Sequence, residues 1–274
     1  MTQAATRAVA YVSLIGLSLL MVFPFLWMLS SSLKPFSEIF AGTSFLPQHA
    51  TLINYESLFQ QSSALLKLWN SFYIAASATA ISVFLCALGG YAFAKFRFPG
   101  RGFLFSFMLG SMALPFAVVM VPLFVMMRSV FHWIDTPWPL IVPGAANAFG
   151  IFFMRQYMLS VPDEMLDAAR VDGASEIGIF WRIVMPTTLP GWISLSIIFF
   201  MSSWNNFLWP LTILHSESAQ TVPVMLNSLQ GPPGRTAFDV LMAGSVVSVL
   251  PMLAVFLVLQ RHLVAGVTSG AVKG

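Results

Sequence analysis

The chain has 274 residues; 58% are hydrophobic, and 13 Lys+Arg with 10 Asp+Glu leave only 8% charged. A soluble domain carries about 25% charged residues, so this composition excludes a soluble enzyme, a disordered tail, a collagen and a disulfide scaffold, and leaves a polytopic helical membrane protein. The net charge of +3 is scattered, which gives no footprint for nucleic acid, and the single Cys86 cannot form an internal disulfide.

A helix needs about 20 apolar residues to cross the hydrocarbon core of a bilayer. Six stretches read as spans: 8–29, 72–94, 102–127, 139–159, 189–213 and 240–259. None contains Asp, Glu or Lys, and Arg155 in the fourth is expected to snorkel toward the interface. The first stretch is too long for the apolar part of a signal peptide and lacks a small-residue cleavage site, so it reads as an anchor. Pro24, Pro115 and Pro122 lie inside spans and predict local kinks or breaks. No internal repeat or separate soluble domain is visible, so residues 1–274 read as a single transmembrane domain.

Basic residues set the orientation. With both termini cytoplasmic, the inside holds Arg7, Lys95, Arg97, Arg101, Arg155, Arg170, Arg182, Arg261 and Lys273, against Lys34, Lys67, Arg128 and Arg235 outside. That asymmetry obeys the positive-inside rule. Two outer loops are long, at 30–71 and 215–239; the second carries the turn signal Gly231-Pro232-Pro233-Gly234.

The cytoplasmic segment 160–186 is the most informative. Ser160 can cap a helix with Pro162 and Asp163 in its first turn. Asp163 and Glu164 favour the positive end of the helix dipole. Gly173 is placed to end the helix. Ser175 can cap a second helix from Glu176 to about Ile183, stopped before Pro186. Small Ala168 and Ala169 beside Asp167 permit close approach by another protein. On the residues alone, a docking device and an ordinary interfacial helix both remain open.

Nothing in the chain carries catalysis. His49, His132, His215 and His262 are far apart and lack metal-ligand spacing, no span holds a base beside a nucleophile, and no GxxxxGK[ST] loop is present to bind ATP. In the fifth span, Asn205 and Asn206 can bond solute hydroxyls or a neighbouring helix. Trp204 can stack on a sugar face or sit in an interfacial belt, and the belt is the expectation for Trp209.

Asp167-Ala168-Ala169, then Gly173, then Ile183-Val184-Met185-Pro186 resembles the EAA loop of permease subunits of ABC importers, with Asp167 in place of Glu and Met185 in place of Leu. Asp shortens the reach of a salt bridge; Met conserves volume. Residues 24–34 (PFLWMLSSSLK), 91–101 (YAFAKFRFPGR), 204–210 (WNNFLWP) and the tail 266–274 narrow the likeness to carbohydrate-uptake permeases of the maltose-G type, within the binding-protein-dependent transport family.

The resemblance implies an all-α type I importer permease with six transmembrane helices in the cell membrane. It implies a second permease subunit in a heterodimer, two ATPase subunits that hold ATP and Mg, and an extracytoplasmic solute-binding protein, with no cofactor on this chain. Glu164, Asp167, Ala168, Ala169, Asp172 and Gly173 would couple to the ATPase. Ser269, Gly270 and Lys273 would reach the ATPase interface, and segment 216–238 would reach toward the binding protein. The alternatives are a glycerol-phosphate-type importer permease and a stand-alone secondary transporter. The latter usually needs ionisable groups at mid-membrane, and these spans have none.

Overall fold

The structure, a computed structural model, describes the backbone of residues 3–41, 44–231 and 237–271, and the side chains of residues 6–7, 9–41, 44–231 and 237–258. Every regular element among them is a helix. The expected tail contacts at Ser269, Gly270 and Lys273 lie outside the described side chains, as does the turn at 232–234. The chain forms two compact units: residues 1–66 with 224–251, and residues 67–223 with 252–274.

In the first unit, α1 (Gln3–Ser32) is apolar on every side, and none of its spanning window is buried. A helix of that composition belongs in lipid. Its last turn is the part that packs. The Ser32 hydroxyl shares a 2.7 Å hydrogen bond with the Tyr55 hydroxyl of α2 (Ile53–Gln61), and the Asn54 amide donates to the Ser32 and Lys34 carbonyls, both at 2.8 Å. Lys34, assigned to an outer loop, is only 2% exposed. Its ammonium donates to the Ser44 carbonyl at 2.5 Å and stands 5.3 Å from the centre of the Trp27 ring. A carbonyl and a ring face thus replace part of the lost hydration.

The remaining spans follow the sequence in position more than in continuity. By length and composition, three helices can cross a membrane: Val9–Ser32, Ala64–Lys95 and Phe238–Val258. The second of these is α3 (Ala64–Lys95), which starts eight residues before the expected 72. The third expected span is a bent pair, α4 (Arg101–Ser111) and α5 (Phe116–Ser129), at 96° to each other. Pro115 stands before α5 and has no N–H to continue the ladder, which accounts for the break. The expectation of a continuous helix over 139–159 is corrected. A single turn, Trp138–Ile141, gives way to irregular backbone through Pro143-Gly144, and α6 (Ala148–Leu159) starts afresh. Asn147 enforces the restart, its side-chain oxygen accepting the Gly150 N–H at 2.8 Å.

In the second unit, one end of the spans is tied by polar contacts. Lys67 of α3, 2% exposed, pairs with Glu217 at 3.1 Å, the Asn70 amide donates to the Ser218 and Gln220 carbonyls, and the Ser71 hydroxyl accepts the Val222 N–H at 2.8 Å. Asp135 accepts the N–H groups of His215 and Ser216 at 2.6 and 2.8 Å.

At the other end, Tyr91, Met154, Met158, Val161, Leu166, Ile179, Phe180, Val184 and Leu195 form one buried apolar cluster. It depends on close helix approach: a Cβ on Gly90 would lie 2.8 Å from the Arg155 nitrogen and from the Met154 Cβ. No side-chain rotation can relieve a clash with backbone. Gly90→Ala should therefore cost about 1–3 kcal/mol, read as a lower unfolding midpoint of the detergent-purified protein. Gly16→Ala, where nothing lies within 4 Å, should leave that midpoint unchanged.

Candidate functional site: the loop between the fourth and fifth spans

The segment after α6 forms α7 (Asp163–Val171), with Asp163 and Glu164 in its first turn as expected. The capping expectation for Ser160 is corrected. Ser160 ends α6, its hydroxyl donating to the Tyr157 carbonyl at 2.6 Å, and extended Pro162 precedes α7 without a side-chain cap. The end of α7 matches the sequence reading. Gly173 sits at φ +81°, its N–H reaches the Arg170 carbonyl at 3.0 Å, and the Ala174 N–H reaches the Ala169 carbonyl at 2.9 Å. This pair of bonds is the Schellman closure, and it needs the left-handed conformation that glycine adopts without strain.

Ser175 then caps α8 (Glu176–Ile179), accepting the Gly178 N–H at 3.2 Å. The helix does not stop before Pro186. A π-helical turn, Phe180–Val184, leads into a short turn, Met185–Thr187. The wide turn pairs the Met185 N–H with the Phe180 carbonyl. It shifts the ladder by one residue just where proline lacks a donor, so the helix survives. The chain then turns by 79° into α9 (Leu189–Trp204).

One ion pair and two hydrogen bonds fix this loop to α3, and Arg170 braces it internally. Lys95, its side chain 4% exposed, bonds Asp163 at 2.6 Å and the Val161 carbonyl at 2.5 Å. The Tyr91 hydroxyl donates to Glu176 at 3.0 Å. Arg170 bridges Asp167, at 2.6 Å, and Glu176, at 2.7 Å. The Arg170 bond holds the Glu176 carboxyl below the usual glutamate range, and the Lys95 bond does the same for Asp163. Arg170 and Tyr91 were not singled out from sequence. The Asp167–Arg170 spacing of three residues on a helix was a readable signal; the Tyr91 contact spans 85 residues and had none.

The six expected coupling residues divide by direction. Ala169 is half-buried against the apolar cluster, with Leu166 at 1% exposure beside it. Glu164, Asp167, Ala168, Asp172 and Gly173 are exposed. Two apolar side chains join them on the uncovered surface: Val171, 87% exposed, and Ile177, 74% exposed.

The fifth span breaks after α9 and resumes as α10 (Leu208–Ile213). The Trp204 ring is buried and stacks on Phe200 at 5.9 Å, packed with Ala75 of α3, so it serves helix packing. Trp209, expected at the interface, is also buried, its indole N–H donating to the Pro139 carbonyl at 2.8 Å. Asn205 is exposed and bonds the Met201 carbonyl of its own helix. Asn206 borders an open cleft of about 350 Å³ with Thr79, Ser82, Asn147, Ser202 and Ser203.

Residues 86–269 match the family model of the binding-protein-dependent transport system inner membrane component. The chain belongs to this family. It is 38% identical over 262 residues to the arabinooligosaccharides transport system permease protein AraQ of Bacillus subtilis, a match covering 94% of this chain and 92% of that one. It is 35% identical to the lactose transport system permease protein LacG of Rhizobium radiobacter (93% and 92% covered) and 33% identical to the trehalose transport system permease protein SugB of Mycobacterium tuberculosis (99% and 98%). Its fold matches a chain of a bacterial ABC transporter involved in the import of the acidic polysaccharide alginate, with a TM-score of 0.82 at 23% identity over 95% of this chain and 98% of that one. This chain is thus a multi-pass permease subunit of an ABC importer, not an enzyme. Membership of the family implies ATPase, solute-binding and further permease partners.

The loop's anchoring gives two expected outcomes. Arg170→Met should raise amide exchange severalfold across 163–180 at neutral pH. Acid should do the same: a carboxyl with a lowered pKa stabilises the fold above the ordinary glutamate range and loses that contribution as pH falls through its own value. Exchange corrected for intrinsic chemistry, measured by mass spectrometry from pH 7 to pH 3, checks both.

Proposed function

We propose that this subunit forms one half of the pathway for an uncharged carbohydrate, a sugar or oligosaccharide handed over by an extracytoplasmic solute-binding protein. The relatives named for arabinooligosaccharides, lactose and trehalose support the solute class. So does the lack of any basic cluster in the spans that a phosphate would need. The subunit pairs with a second, related permease, and two ATPase subunits bind ATP and Mg. Both termini and the 160–186 loop face the cytoplasm. Arg101 and Arg155 bond carbonyls at Phe96 and Phe93, beside the Lys95 anchor of the loop, in line with a basic inner side.

In this reading α7 is the coupling helix. ATP-driven closure of the ATPase dimer moves it and switches the cavity between inward and outward access, a two-state element biased by a ligand. The observation that carries the reading is the uncovered face of an anchored helix: Ala168, Val171 and Ile177 stay exposed while the Lys95–Asp163 ion pair and the Tyr91–Glu176 hydrogen bond hold the loop to α3. Glu164, Asp167, Asp172 and Gly173 complete that face. Ser269, Gly270 and Lys273 of the tail are proposed to meet the ATPase as well.

Ala168→Arg puts a long cation on the docking face, and Gly173→Asp strains the left-handed closure. Each should leave the chain in the membrane at its normal amount. Each should cut carbohydrate uptake at least tenfold and abolish the stimulation of ATPase by the binding protein. Immunoblots of membranes, uptake and ATPase assays on the assembled transporter check this, and full uptake in both variants overturns the coupling role.

A further inference from the structure

The cleft bordered by Asn206 lies where two broken spans meet α3. Thr79 and Ser82 occupy the middle of α3. Asn147 ends the irregular stretch of the fourth span, and Asn206 lies in the gap between α9 and α10. Irregular backbone at membrane depth survives only where protein covers it or where it lines a water-filled cavity. Discontinuous spans near the midplane are also where carriers build solute sites. Two such breaks opening on one cleft are two departures from the cheapest way to cross a bilayer.

The lining has a distinct chemistry. Its polar groups are hydroxyls and amides, with no ionisable side chain among them. An ion in that low-dielectric position would lack a counter-charge. The hydroxyls are also under-used. Ser82 reaches the Gly144 carbonyl at 3.3 Å, and the Asn147 amide reaches the same carbonyl at 3.3 Å, both at the weak end of the range. Thr79, 8% exposed, borders the cleft with its hydroxyl unpartnered. Buried hydroxyls without partners cost free energy, and native structures keep few of them. Phe149 and Phe199 supply apolar walls. Hydroxyl and amide groups facing aromatic walls suit a molecule with equatorial hydroxyls and apolar ring faces.

We propose that this cleft is a solute-contact site on this chain, with Thr79, Ser82, Ser203 and Asn206 exchanging hydrogen bonds with carbohydrate hydroxyls during passage. The inference rests on the carbohydrate reading above and adds that this subunit touches the solute itself. Thr79 and Asn206 are its specificity-determining groups.

The test uses the complete transporter, with its partner permease, ATPases and binding protein, in proteoliposomes, and arabinotriose, lactose and trehalose as probes. For a sugar that the unaltered transporter moves, Thr79→Val should lower the solute moved per ATP hydrolysed three- to tenfold. In a Cys86→Ala background, Ser203→Cys should react with a small charged thiosulfonate at least threefold more slowly when that sugar, binding protein and ATP are present. If Thr79→Val fails to assemble, the labelling rate decides alone. An unchanged transport ratio overturns the proposal and leaves the carbohydrate reading standing. Reduced transport without sugar protection also overturns it, because Thr79 then acts in packing. If the unaltered transporter moves none of the three sugars, the carbohydrate reading falls and the proposal falls with it.

Discussion

Hydrocarbon offers a backbone no hydrogen bonds, and that constraint organises this molecule. Where the chain meets lipid it is continuous helix, as in α1, whose spanning window has no buried residue. Where the helices break, at 142–147 and 205–207, residues supply local partners: Asn147 for the Gly150 N–H, and Ser82 and Asn147 for the Gly144 carbonyl. The breaks at 142–147 and 205–207 open on one polar cleft in the second unit, whereas the break before Pro115 in the third span lies outside its lining. The same rule governs the buried lysines. Lys34, Lys67 and Lys95 each keep their ammonium on a carbonyl, a carboxylate or both.

The loop between the fourth and fifth spans shows a division between anchoring and display. Leu166 and Ala169 face the apolar cluster, and Lys95, Tyr91 and Arg170 tie down the acidic groups around them. This is why an acidic residue at position 167 can stay 68% exposed while still bonded within its own chain.

Much of this was legible in the sequence. Charge-poor runs located the membrane segments, and the Ser175 cap and Gly173 closure follow from local chemistry that needs no neighbour. Three things were not legible. The break in the fourth span follows from Pro143-Gly144 together with a cap at Asn147, and a hydropathy window averages over such a step. The passage of helix through Pro186 depends on the π turn at 180–184, a register change that no residue type announces. The polar cleft brings together Thr79, Asn147 and Asn206 from three separated segments. Trp204 and Trp209 were conspicuous by type, yet both are buried in packing, while the plain serines and threonine beside them border the cleft.

Helix α3 carries no proline, and its two extremities are gripped: Lys67, Asn70 and Ser71 on one side, Tyr91 and Lys95 on the other. Lys67 and Lys95 stand about 42 Å apart along its axis at 1.5 Å per residue. Thr79 lies close to the midpoint. A proline-free rod held at both extremities keeps its backbone ladder unbroken, so the depth of Thr79 is set by the spacing of the two lysines.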